Sequence, residues 1–212
     1  MMRWWRSRLR ILSSQQAYAQ WAQSYPAEAH NRLMQLEQEA MQALMPPLRG
    51  STVLDLACGT GRYGQLALQA GAQQVIGCDN SLPMLQHGVL TSSACATTEA
   101  IPLRRASVDV VLCGLALGHV PQLVPSLREI SRVLKPSGVA LISDFHPYQA
   151  LKGSQRTFRV GDTTYAVEHY VHHLSDYVTG GQAHHLQLIA LREPMYQEQP
   201  VVLVLAYRKV SA

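Results

Sequence analysis

Between Val53 and Gly64 the chain reads VLDLACGTGRYG, with Gly59, Gly61 and Gly64 at GxGxxG spacing where an apolar strand gives way to a helix. Glycines lack a Cβ and take positive φ, so such a turn lets the backbone come close to a ligand. Asp79 closes the next strand 18 residues after Gly61, where a carboxylate can accept hydrogen bonds from ribose hydroxyls. Asp55 lies inside the first strand, four residues before Gly59. In a dinucleotide complex it would face the pyrophosphate, and like charges repel. A nucleoside ligand carrying a cation suits the pair of acids better, although the glycine spacing by itself fits both.

Histidines form the second group. HYVHHLSDYVTGGQAHHL, from His169 to Leu186, holds five of the nine in the chain. Read as a strand, TTYAVEHYVHHL alternates so that His169 and His173 share a face about 13 Å apart. A zinc ion needs nitrogens about 2 Å away, so this pair cannot share one, and no metal site is expected. His119, after LALG, and His146, in SDFHP, stand at the carboxyl ends of predicted strands, where an imidazole can take a proton from an acceptor.

These residues need a frame. Tyr18, Trp21, Ala22 and Tyr25, then Leu33, Met34, Leu36, Met41, Leu44 and Met45, recur at helical spacing on either side of Pro26. Residues 13–48 are therefore read as a helical pair. STVLDLA, GRYGQLALQAGA and QQVIGCD make a βαβ unit. A helix from SLPMLQHG with Ser81 as N-cap, a weak strand near SSACAT, the strand VDVVLC, the helix VPSLREISRVL and the strand VALISDF complete a core over 50–146. RTFRVGDTTYAVEHYVHHL reads as a hairpin turning at Gly-Asp, within an insertion over 147–174. A short helix with Ser175 as N-cap and two closing strands fill 175–212. The reading is one α/β domain with helices on both sheet faces.

The formal charge of +4 comes from Arg3, Arg6, Arg8 and Arg10, and the remainder sums to zero, so the body lacks the charge of a nucleic-acid binder. Residues 1–12 read as a disordered basic tail. Its RWWRSRLRIL could rest on an anionic membrane surface, whereas no apolar run is long enough to cross a bilayer. Cys58, Cys78, Cys95 and Cys113 show no ligand-like spacing, which fits reduced thiols in a cytoplasmic protein.

VLDLACGTGRYG, VIGCDNSLPML, TTEAIPLRRASVDVVLCGLALGHV and LREISRVLKPSGVALISDF together resemble the successive motifs of class I S-adenosylmethionine-dependent methyltransferases. The resemblance implies a Rossmann-like, mostly parallel seven-stranded sheet whose last strand is antiparallel, under an N-terminal helical lid. It implies S-adenosylmethionine as cofactor and S-adenosylhomocysteine as product. Asp55, Ala57, Gly59 and Gly61 would line its methionine part, Asp79 the ribose, and Asn80 and Met84 the adenine. Thr97 and Thr98 stand where many relatives have Asp-Ala, a departure that removes a carboxylate from the adenine. Cys113, Gly114 and Leu115 would contact the cofactor through backbone, with Tyr18, Trp21 and Tyr25 as lid.

Methyl transfer from a sulfonium is an in-line displacement that requires positioning and exclusion of water more than a base. The acceptor, a small molecule free or carrier-bound, is expected between the insertion and the N-terminal helices. Arg156, Arg159, His169 and His173 from the first, and Glu28, Asn31 and Met34 from the second, are the candidates. Arginines suit a carboxylate; aromatic and methionine side chains suit a phenol or quinone. Two rivals are a cofactor-binding partner protein without activity and a nicotinamide-dependent oxidoreductase.

Overall fold

A computed structural model describes residues 9–211. Strand β1 (Arg10–Leu12) leads into helix α1 (Ser14–Trp21), capped by the Ser13 hydroxyl. A single 3-10 turn and Pro26 separate it from α2 (Arg32–Leu44), whose N-cap Asn31 accepts a hydrogen bond from Met34 N. The core follows as β2 (Thr52–Leu56), α3 (Arg62–Gln69), β3 (Gln74–Asp79), α4 (Leu82–Gln86), β4 (Ser93–Cys95), β5 (Val108–Gly114), α5 (Leu123–Val133) and β6 (Leu134–Phe145). After α6 (Pro147–Leu151) come the hairpin strands β7 (Thr157–Val160) and β8 (Thr163–Val167), then α7 (Leu174–Ala183) and β9 (Leu186–Arg192). The two-residue strands β10 (Met195–Tyr196) and β11 (Gln199–Pro200) turn the chain into β12 (Val202–Lys209).

The main sheet has seven strands in the order β4-β3-β2-β5-β6-β12-β9. Neighbours from β4 to β6 run parallel, and β12 runs antiparallel to both β6 and β9. This is the expected sheet, with its last strand inserted one place from the edge. Alternation along each strand divides the core. Leu54, Val111, Cys113, Ile142, Leu203 and Leu205 face α5 and α7, while Val53, Val110, Leu112, Leu141, Val202 and Val204 face α2 and α3. Each such fully buried aliphatic side chain stabilises the fold by about 1.5–3 kcal/mol relative to exposure.

Two local expectations are corrected. Arg10–Leu12, read as part of a disordered tail, pairs in parallel with Tyr165–Val167 of β8, and Leu12 buries against Ala17, Phe158 and Val167. The hairpin and the N-terminal helix thus share a small core. Residues 1–8, with Trp4, Trp5 and three of the tail arginines, lie outside the described residues. The second correction concerns the hairpin's length: β8 stops at Val167, where its pairing with β1 makes its last bond and the chain then turns to Gly118. Glu168 N donates to Leu12 O and Tyr170 N to Gly118 O. Strand alternation therefore does not reach His173, which is the N-cap of α7 in place of Ser175; Asp176 Oδ2 accepts a hydrogen bond from His173 N at 2.8 Å. No helix of the described residues is long and apolar enough to cross a membrane.

Candidate active site at the carboxyl ends of the strands

A cavity of about 220 Å³ opens where β2, β3 and β5 end. The turn after β2 forms one wall, with Ala57 and Gly59 both at φ 55°. Gly59 N donates to Asp79 Oδ2 at 2.7 Å and Ser81 N to Asp79 Oδ1 at 2.8 Å, so one carboxylate ties two strand ends together. Each oxygen keeps a lone pair for a ligand hydroxyl. Burial raises the Asp79 carboxyl pKa, and the two N–H groups oppose the shift. Asp55 is 2% exposed and accepts Gly64 N at 2.7 Å. Burial pushes its carboxyl up to about 7, against the pull of that N–H and of Arg62. A Cβ on Gly64 would sit 3.1 Å from Asp55 Oδ2 and collide with Leu90, so Gly64 permits the bond that holds Asp55.

Asn80, Met84, Ala96, Thr97, Thr98 and Glu99 form the next wall. Thr98 is buried and its hydroxyl pairs with Ser126 Oγ at 2.7 Å. The acceptor lost with Thr97 has a neighbour in Glu99, a carboxylate in the same wall two residues further along.

Opposite stand Arg62, Tyr63, Gly114 and Leu115. Behind them lies Glu37 of α2, which is 0% exposed. Its Oε2 accepts from Arg62 at 2.8 Å, and its Oε1 accepts from the hydroxyls of Tyr63 and Ser143. Ser143 Oγ in turn accepts from Leu115 N at 3.0 Å. One buried carboxylate therefore joins the N-terminal helix to the turns after β2 and β5. The signal was present: Met34, Glu37 and Met41 fall at i, i+3 and i+7, which puts the acid on the apolar face of α2.

The last wall brings together Tyr18, Tyr25, His119 and Arg156. Arg156 Nη1 donates to Leu115 O at 2.7 Å and to His119 Nε2 at 2.8 Å, and its guanidinium carbon lies 5.0 Å from the Phe145 ring centre. A guanidinium only donates, so His119 Nε2 is the acceptor and the ring proton sits on Nδ1, 2.9 Å from Glu168 O. Burial first, then Arg156, drives the His119 pKa down to about 3. This imidazole is neutral at physiological pH and its lone pair is engaged. It positions Arg156 and does not stand ready as a base. Burial also raises the hydroxyl pKa of Tyr18 and Tyr25, so neither offers a phenolate.

Other sequence candidates lie elsewhere. Gly61, at φ 97°, starts α3, and a Cβ there would strike Leu90; it serves packing and is not in the cavity wall. Trp21 stacks on Phe158 with ring centres 5.2 Å apart, and Cys113 points into the core under α5 and α7. His146, the other base candidate, caps α6 through Nδ1 and meets Glu193 through Nε2 at 2.8 Å, so both nitrogens are occupied outside the cavity. Arg159 pairs with Asp162 at the exposed hairpin turn. Glu28 and Asn31 are exposed, Met34 belongs to the core and His173 caps α7. His169 lies behind the wall, edge-on to His119 at 5.9 Å, with a buried Nδ1 that has no partner. Among the described residues no group of three or more His, Cys, Asp or Glu is arranged to hold a metal ion.

The chemistry of the donor set fits S-adenosylmethionine. Two buried carboxyls flank the glycine turn where a phosphate would be repelled, and Asp55, raised to about 7, gains from a cation beside it. Asp79 is left with acceptor capacity for ribose hydroxyls.

Comparison with known proteins agrees with this geometry. Residues 54–142 match the family model described as a methyltransferase domain. The chain is 33% identical over 182 residues to a malonyl-[acyl-carrier protein] O-methyltransferase of Pectobacterium atrosepticum, covering 76% of this chain and 70% of that protein. It is 38% identical over 115 residues to a demethylmenaquinone methyltransferase of Lactococcus lactis, covering 49% and 46%. The fold superposes with a TM-score of 0.70 on an S-adenosylmethionine-dependent methyltransferase from Mesorhizobium loti, at 18% identity over 82% of this chain and 97% of that one. The chain spans from about half to about seven tenths of the length of the curated relatives it matches.

Proposed function

Because the chain belongs to the class I S-adenosylmethionine-dependent methyltransferases, we propose that it methylates the carboxylate oxygen of a small acceptor, free or carried as a thioester. The observation that carries the reading is Arg156. Its Nη1 is fixed by Leu115 O and His119 Nε2, and among the described residues it has no carboxylate partner. Nε and Nη2 remain to grip an acceptor carboxylate, the geometry in which arginine is strongest.

The bound cofactor supplies an electrophilic methyl group on a sulfonium. The protein's own part is to place an oxygen in line with it and to keep water out. Asp79, Asn80 and Glu99 would hold the nucleoside end; Asp55, Ala57 and Gly59 would hold the amino-acid end. Tyr18 and Tyr25 close the cleft from α1 and the turn after it. A carboxylate is already ionised at neutral pH, so no base is required, in keeping with a His119 whose lone pair is engaged. A phenol would need its proton removed, and the one wall carboxyl raised to about 7, Asp55, is given to the cofactor's amino-acid end. The malonyl-[acyl-carrier protein] relatives support an acceptor with a free carboxyl beyond a thioester.

Steady-state kinetics of Arg156→Ala with a malonyl thioester test the proposal. The acceptor KM should rise at least about tenfold, the cost of one charge-assisted hydrogen-bond pair, while cofactor affinity changes little. If cofactor affinity falls instead and the acceptor KM holds, Arg156 grips the cofactor's own carboxylate. Cofactor binding without turnover on any carboxylate would favour the non-catalytic partner reading.

A further inference from the structure

A second cavity, of about 520 Å³, opens at the opposite end of the strands, where α5 ends, β9 begins and β12 finishes. Its walls carry Arg105, Arg128, Arg132, Lys209, His184 and His185, with Glu129 as the acid. Glu129 is fully engaged: Arg132 grips both its oxygens at 2.6 and 2.7 Å, and Ile101 N donates to Oε2 at 2.9 Å. Arg132 also donates to Leu103 O and Ile101 O, so this pair is neutral and keeps one free Nη1 N–H. Arg105, Arg128 and Lys209 have no carboxylate partner among the described residues. Two of the three Lys209 N–H groups go to Ser131 O and Leu134 O, which leaves one donor.

Three uncompensated cations in one recess are a local excess, since the chain beyond its first ten residues has no net charge. Burial, and secondarily Arg105, lower the Lys209 pKa, so the cluster is held together against its own repulsion. His185 adds to the pattern. It takes φ 59° at the end of α7, a left-handed position that ordinarily falls to Gly or Asn, and is pinned there by Val210 N donating to His185 O at 2.9 Å.

We propose that this recess binds a small multivalent phosphate, a phosphate monoester or a diphosphate. Two guanidinium forks and a spare ammonium donor match phosphate oxygens, and no Phe, Tyr or Trp lines the recess to hold a base or ring. A nucleic-acid backbone would need a continued basic track, which a body that sums to zero with the recess included does not supply.

Calorimetric titration of the whole chain with inorganic pyrophosphate, inorganic phosphate and acetate at fixed ionic strength tests the site. One-site binding should follow the order pyrophosphate, phosphate, acetate. It should weaken by about tenfold or more in the Arg105→Ala, Arg128→Ala double variant and persist in Arg156→Ala, which alters the other cavity. Both arginines are exposed, so the double variant should melt with the parent; if it does not, pyrophosphate-induced shifts of the His184 and His185 imidazole resonances in the unaltered protein decide instead. Absence of saturable pyrophosphate binding with those resonances unmoved overturns the proposal. So does binding that survives the double variant and vanishes in Arg156→Ala, or acetate competing as well as pyrophosphate.

Discussion

Asp55 and His119 both line the cleft, and burial moves their titrations in opposite directions. Asp55 rises from 3.8 to about 7. Between those values the folded chain keeps a proton that the unfolded chain has released, so this contribution to stability is full below about pH 4 and is lost as pH rises through 7. Asparagine cannot ionise, and its Oδ1 still accepts Gly64 N–H. Without cofactor, Asp55→Asn should therefore lose less stability than the parent between pH 5 and 8 in urea unfolding, while its affinity for S-adenosylmethionine falls. Identical pH slopes would remove the buried-carboxyl account. His119 falls from 6.5 to about 3, so its contribution is present at neutral pH and is lost as pH falls between those values. Asp55 and Asp79 were legible because an acid ending an apolar strand needs a partner. Arg156 and His119 were legible as candidates but not as a pair. They lie 37 residues apart, and only the fold shows that one consumes the other's lone pair.

Elements with strong local periodicity were read well: the βαβ unit, the helix before LKPSG and the closing strands all stand where alternation and helical spacing put them. Pairings set by distant chain were not. β1 exists because β8 offers it an edge, and β8 ends where β1 ends and Gly118 takes the Tyr170 N–H; neither fact has a signal within its own window. The link that matters most between elements is Glu37, by which α2 grips α3 and β6. Glu37→Ala would strand the Arg62 charge and two buried hydroxyls, at a cost of about 3–5 kcal/mol. Equilibrium unfolding measures this, and Glu37→Gln, which can still accept from Tyr63 and Ser143, should cost less. A loss below about 1 kcal/mol in Glu37→Ala would show that α2 is held by its apolar face alone.

At the scale of the molecule, the parallel run from β4 to β6 places the cleft at the carboxyl ends of its strands and the basic recess at their amino ends, where the antiparallel β12 finishes. The family motifs made the cleft readable, because they are contiguous in sequence. The recess is assembled from four separate segments around Arg105, Arg128, His184 and Lys209, so composition alone hid it behind a net charge of zero. The same topology brings the hairpin over the cleft, where Arg156 meets the end of β5 and the methyl acceptor is proposed to sit.

The identity of the methylated atom tests that account most directly. With S-adenosylmethionine labelled in its methyl group and a malonyl thioester as acceptor, the account predicts label in a carboxyl methyl ester, released as methanol by mild alkali. Label in an alkali-stable ether or carbon-methyl product from a phenolic acceptor, with the malonyl thioester left untouched, would contradict it.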